Sequence, residues 1–217
     1  MSKVPLVIDG YLVQAEPGET LLDAARRAGV EVPTLCHHEQ SGTRGLCRLC
    51  VVEVEGWGRP VPACATEVQP NLVVRTETAA LADLRRVVLE LLAHETDLSL
   101  DTGTQALLER YHARPERWGA PLAARREREP VQDNPFFVRD YAKCYTCRRC
   151  IDACGEGVQG LWAYATTGRG HAAVPGTPLD LPLPETPCVF CGNCVQVCPT
   201  GALVPLAELA AAEGGDA

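Results

Sequence analysis

Twelve cysteines carry the chemistry this 217-residue sequence can perform, and their spacing divides them into three sets of four. Two runs repeat one pattern: Cys144-x2-Cys147-x2-Cys150-x3-Cys154 and Cys188-x2-Cys191-x2-Cys194-x3-Cys198-Pro199. Three thiolates at two-residue gaps let a tight loop reach three corners of one iron–sulfur cubane. The fourth cysteine of each run reaches the other cubane. The spacing therefore predicts one [4Fe–4S] site from Cys144, Cys147, Cys150 and Cys198, and a second from Cys188, Cys191, Cys194 and Cys154. Structural zinc also takes Cys-x2-Cys pairs, but it needs two pairs and no more. A duplicated three-plus-one pattern favours iron. Gly155 stands where proline usually follows the fourth cysteine of such a run, a departure that touches no ligand.

The remaining set is Cys36-x10-Cys47-x2-Cys50-x13-Cys64. A [2Fe–2S] rhombus is held by a loop donating two or three thiolates, closed by one from a distant strand. The plant-type loop has a shorter first gap, so spacing alone leaves zinc or a lone [4Fe–4S] cluster open here. Gly42 and Gly45 would let backbone N–H groups approach cluster sulfurs. Arg44 and Arg48 either offset cluster charge or form a solvated loop face. His37, His38 and Glu39 beside Cys36 raise a Rieske-type His2Cys2 set, but four cysteines already complete the site. Tyr145 and Phe190, one in each C-terminal run, either shield clusters from water or simply pack. Gly155-Glu156-Gly157-Val158-Gln159-Gly160 satisfies G-x-G-x-x-G, yet it follows a cysteine rather than a strand, which argues against dinucleotide binding.

These loops need elements to position them. Val4–Ile8 and Tyr11–Gln14 read as strands joined by Asp9-Gly10, a hairpin dipeptide. Thr20 caps a helix with Asp23 three residues on, running to Ala28 with Gly29 at its end. Val51–Val54 and Leu72–Thr76 read as further strands. Residues 78–95 have helical periodicity with Leu81, Leu84, Val88, Leu91 and Leu92 on one face. A second helix is expected over about 103–112, an irregular connector with Pro115, Pro121, Pro130 and Pro135 over 113–135, and a disordered tail from Ala210. The fold class is α+β. A ferredoxin-like (β-grasp) domain over 1–77 precedes a helical segment and linker over 78–135, a bacterial-ferredoxin-like domain over 136–205, and a tail over 206–217.

A formal net charge of -8 and pI near 5.2 leave no basic footprint for nucleic acid. No run of 18 apolar residues exists, and Asp9 interrupts the N-terminus before a signal-peptide core forms. A cytoplasmic chain without membrane insertion is expected, and in that reducing compartment twelve cysteines point to metal rather than disulfides. Aromatic content of 5% predicts small cores.

The N-terminal set resembles the [2Fe–2S] domain of the large iron–sulfur subunit of respiratory complex I. That domain is shared with NAD-dependent molybdenum formate dehydrogenases and NAD-reducing hydrogenases. Asp140-Tyr141-Ala142-Lys143-Cys144, Cys154 to Gly160, Thr167-Gly168-Arg169-Gly170 and Cys198 to Leu203 are most similar to the N-terminal region of the formate dehydrogenase α subunit. The resemblance covers about residues 4–205. It implies a non-catalytic subunit with one [2Fe–2S] and two [4Fe–4S] clusters. Such a subunit relays single electrons between a catalytic partner (molybdopterin or [NiFe]) and a flavin subunit handling NAD(H). A structural or sensory iron–sulfur protein is the alternative of another class. The family's usual H-x3-C-x2-C-x5-C site is degenerate here: His94 is present, but Leu98, Asp101 and Leu107 replace the cysteines, so no cluster is expected there. The chain stops at Ala217, before any molybdopterin catalytic region.

Overall fold

In the computed structural model, residues 3–39, 44–120 and 129–213 are described, with side chains to 209. Gly42 and Pro121 lie outside them, as do the last four residues of the tail. The described chain divides into two units. One holds residues 3–37, 44–89 and 108–113, and the other holds 38–39, 90–107, 114–120 and 129–213. Segment 78–135 is thus shared between the units.

The first unit is built on a five-stranded sheet whose strands lie in the order 11–15, 4–8, 73–75, 51–54 and 61–62. Strands β1 (Val4–Ile8) and β2 (Tyr11–Ala15) form the hairpin, with Asp9 and Gly10 both at positive φ (48° and 86°), as a tight primed turn requires. The Asp9 carboxylate also accepts from the Thr76 backbone N–H (2.8 Å), tying the turn to the end of β5 (Val73–Arg75), which runs parallel to β1. Strand β3 (Val51–Val54) pairs antiparallel with both β5 and β4 (Val61–Pro62). Helix α1 (Leu21–Arg27) has the expected cap: Thr20 Oγ1 accepts from Asp23 N (3.2 Å) and donates to its carboxylate (2.7 Å). Leu21, Leu22, Ala24 and Ala25 bury against Leu6, Ile8, Val13, Val52 and Val54, and Cys50 and Cys64 belong to the same core.

Helix α2 (Ala79–Glu95) departs from the expected face. Its fully buried positions up to Leu89 are Leu81, Arg85 and Leu89, whereas Leu91 is 42% exposed. Arg85 occupies a core position because polar partners surround it. Its Nε donates to Leu49 O (3.1 Å), Nη2 to Val51 O and Thr76 O (both 2.8 Å), and Nη1 to Glu77 (2.7 Å) and Tyr111 Oη (3.1 Å). The arginine bolts down the backbone on both sides of Cys50.

Within the second unit, buried Glu90 accepts from Arg114 N (3.0 Å) and Trp118 Nε1 (3.1 Å), which fixes the start of the connector. Helix α3 spans Thr102–Arg110. Strand β6 (Phe137–Arg139) pairs antiparallel with β9 (Leu203–Pro205), and β7 (Ala165–Thr167) with β8 (Val174–Gly176). Two short helices, α4 (Arg149–Cys154) and α5 (Asn193–Gln196), each carry the third cysteine of a run as their second residue. The repeat extends to the backbone: Thr146 and Arg148 (φ 58° and 67°) correspond to Phe190 and Gly192 (φ 55° and 78°). For residues 210–213 the expected disorder is corrected by helix α6 (Leu206–Glu213). Its Leu- and Ala-rich sequence has high helix propensity, and Leu206 N bonds Phe136 O at 2.9 Å. Among the described residues no helix is long and apolar enough to cross a membrane.

Candidate metal centres

The four N-terminal cysteines gather where β3, the turn after β4 and the segments around Cys36 and Cys47 meet. Cys50 Sγ lies 3.4 Å from Cys64 Sγ, and Cys47 N donates to Cys36 Sγ at 3.5 Å. Cys36, Cys50 and Cys64 are buried, and Cys47 is half-buried. A hydrogen bond from Cys36 holds the Cys47 thiol down at about 5 and pushes Cys36 up, while Cys50 does the same for Cys64, lowered to about 7. The Gly45 N–H also stabilises the Cys64 thiolate, the backbone approach expected of that glycine. Arg44 and Arg48 are exposed.

Each C-terminal set lines its own cavity. One is lined by Cys144, Cys147, Cys150 and Cys198 together with Tyr141 and Tyr145. The other is lined by Cys154, Cys188, Cys191 and Cys194 together with Tyr164 and Phe190. Thus the structure brings each fourth cysteine to the other run's first three. Backbone N–H groups point at the sulfurs: Thr146 N to Cys144 Sγ (3.3 Å), Phe190 N to Cys188 Sγ (3.4 Å) and Ala163 N to Cys154 Sγ (3.2 Å). Thr200 Oγ1 stands 3.6 Å from Cys198 Sγ. Burial, reinforced by neighbouring thiolate charge, pushes Cys147 and Cys194 up to about 12 and Cys150 well above its ordinary value.

These surroundings fit iron–sulfur clusters. Crowded, buried thiols give up their protons only when a cationic group compensates them, and the N–H donors are set for sulfur acceptors. Cys191 is the exposed cysteine of the twelve. Gly155 has a structural reason: a Cβ there would stand 2.8 Å from the Trp162 ring, which packs over the end of α4. At the degenerate site, His94 and Leu98 are buried and Leu107 half-buried, while Asp101 accepts from Thr104 N (2.8 Å) and so caps α3. Sequence reasoning missed Arg85 and Tyr164, since nothing in the local sequence marks either polar group as buried.

Residues 1–79 match the 2Fe-2S iron-sulfur cluster binding domain family, and residues 143–202 the 4Fe-4S dicluster domain family. The chain is 37% identical to the NADP-reducing hydrogenase subunit HndD of Solidesulfovibrio fructosivorans, over 94% of its own length and 36% of that protein. It is 34% identical to the mitochondrial NADH-ubiquinone oxidoreductase 78 kDa subunit of Neurospora crassa, over 93% of its length and 27% of that protein. It therefore spans about a quarter to a third of these relatives. The crystal structure of an NAD+-reducing [NiFe]-hydrogenase in the H2-reduced state contains a similar chain. The TM-score is 0.82 at 29% identity, covering 94% of this chain and 88% of that one. The cofactor complement is one [2Fe–2S] and two [4Fe–4S] clusters. By its domain order, its cysteine sets and these relatives, the chain belongs to the iron–sulfur family found in complex I, NAD(P)-linked hydrogenases and related oxidoreductases.

Proposed function

We propose that the chain is an electron relay of a multi-subunit, cytoplasmic, NAD(P)-linked oxidoreductase. It connects a catalytic subunit with a flavin subunit that handles NAD(H). Cys36, Cys47, Cys50 and Cys64 hold the [2Fe–2S] cluster. Cys144, Cys147, Cys150 and Cys198 hold one [4Fe–4S] cluster, and Cys154, Cys188, Cys191 and Cys194 the other. The two cluster-bearing domains lie within 1–77 and 136–205. When bound, the clusters supply reversible one-electron transfer, and the protein's part is ligation, burial and hydrogen bonding that set their potentials. The N–H groups of Thr146, Ala163 and Phe190 hold negative charge at ligand sulfurs. The apolar cavity walls keep water off both cubane sites, and exposed Cys191 gives the second site its access to a partner.

The observation that carries this reading is the sorting of eight cysteines into two four-cysteine cavities. The catalytic partner is of [NiFe]-hydrogenase type, supported by the similarity to nearly the whole length of the hydrogenase chain. A molybdenum formate dehydrogenase partner is the second reading, favoured by the residues around Cys144, Cys154 and Cys198. Anaerobic purification with identification of the co-purifying large subunit decides between them. Iron analysis should give about ten Fe per chain, and a reduction titration three reversible centres. About fourteen Fe, or zinc in place of iron, refutes the assignment.

A further inference from the structure

Tyr164 is one of the largest fully buried side chains, 1% exposed. Its hydroxyl is shielded from solvent and finds no hydrogen-bond partner among the described residues. Buried tyrosine hydroxyls almost always have one, because an unpaired group keeps the full cost of its lost hydration. Phenylalanine would fill the same apolar space without that cost, so the hydroxyl calls for an acceptor. The surroundings narrow the choice. Tyr164 shares its core with Cys150, Cys194, Phe137, Ile151 and Leu183, and it lines the cavity of Cys154, Cys188, Cys191 and Cys194 but not the other. Arg139, buried in the same unit, directs its Nη groups to Asp133 and to Tyr141 Oη. Tyr141 Oη, in the other cavity, accepts from Arg139 Nη1 at 3.5 Å, whereas Tyr164 Oη has no such partner among the described residues.

We propose that the Tyr164 hydroxyl donates a hydrogen bond to sulfur of the centre held by Cys154, Cys188, Cys191 and Cys194, and that this bond raises that centre's reduction potential. The inference rests on the cluster assignment given above. Reduction adds negative charge to the cluster, so a donor aimed at sulfur binds the reduced state more strongly.

The test is Tyr164→Phe in the full chain, compared with wild type by redox titration followed by EPR. The expected result is a lower potential for one [4Fe–4S] centre, with about a tenfold drop in its reduced-to-oxidised ratio at fixed potential, ~59 mV for one electron. The other two centres and the iron content stay unchanged, which also reports that the variant folds. A proton that exchanges in D2O and couples to the cluster spin should be present in wild type and absent in the variant. Tyr141→Phe serves as the control and should leave this centre in place. Three wild-type centres with no shift in Tyr164→Phe, or an equal shift in Tyr141→Phe, overturn the proposal alone. A wild-type chain without reversible cubane signals overturns the cluster assignment and this proposal together.

Discussion

Replacing Arg85 by Met keeps volume and removes every polar contact of a side chain with 0% exposure. Three backbone carbonyls, of Leu49, Val51 and Thr76, lose their arginine donor. All three residues are buried, so water does not replace it at no cost. Glu77 is different: its side chain is 48% exposed and turns to solvent. At about 1–3 kcal/mol for each stranded acceptor, partly relieved by relaxation, the expected loss is about 3–5 kcal/mol. For a unit of this size that lowers the unfolding midpoint by at least about 12 °C. Because Leu49 and Val51 flank Cys50, the same substitution loosens the cysteine loop. The assay is thermal or urea unfolding followed at the [2Fe–2S] visible band, with the [4Fe–4S] EPR signals as internal reference. Arg85→Lys should fall between, since one ammonium does not span the partners that the guanidinium fork reaches. A Met variant within about 1 kcal/mol of wild type refutes the view that Arg85 holds the cysteine-bearing backbone.

Three further outcomes follow from the cluster assignment and its surroundings. Cys191→Ser should abolish or strongly alter one [4Fe–4S] EPR signal and leave the [2Fe–2S] spectrum intact; loss of the [2Fe–2S] signal instead means the ligand sets are grouped wrongly. Gly155→Ala brings a Cβ within 2.8–2.9 Å of the Trp162 ring and should destabilise the second unit by about 1 kcal/mol in urea unfolding. Adding Trp162→Ala should recover most of that loss, and strict additivity of the two changes would exclude the clash as its cause. Iron removal by chelator under reducing conditions should erase the secondary structure of residues 129–213 in hydrogen exchange. The first unit's larger apolar core should keep its protection, and equal loss in both units contradicts this asymmetry.

The parts of the molecule written in local sequence were the legible ones. The Asp9-Gly10 turn, the Thr20 cap and the x2-x2-x3 cysteine runs each specify their geometry within a few residues, and the structure reproduces them. Arg85 could not be read that way. Leu49, which accepts its Nε, lies 36 residues away, and periodicity marks such a position only as apolar or polar. On α2 this produced the wrong stripe, with Leu91 assigned inward and Arg85 left out of it. Tyr164 was missed for the converse reason: an aromatic in a small core reads as packing, and its unpaired hydroxyl is visible only in three dimensions. Residues 210–213 misled because small residues suit both disorder and helix, and here they continue a helix that starts at Leu206, where its N–H bonds Phe136 O.

One feature links the three cysteine sets more closely than spacing does. The residue after the second cysteine of each set, counted along the chain, is left-handed: Arg48 (φ 60°), Arg148 (φ 67°) and Gly192 (φ 78°). Two of the three are arginines, for which this conformation costs about 1–2 kcal/mol. In the C-terminal runs another left-handed residue precedes that second cysteine, and its own N–H bonds the first cysteine's sulfur, through Thr146 in one run and Phe190 in the other. The strain therefore has a use, because it curls the loop so that successive thiols face one cavity while the backbone donates to them. A chain gains nothing from such a curl unless something binds those sulfurs, so four non-glycine residues held left-handed across the three loops are a backbone record of the clusters.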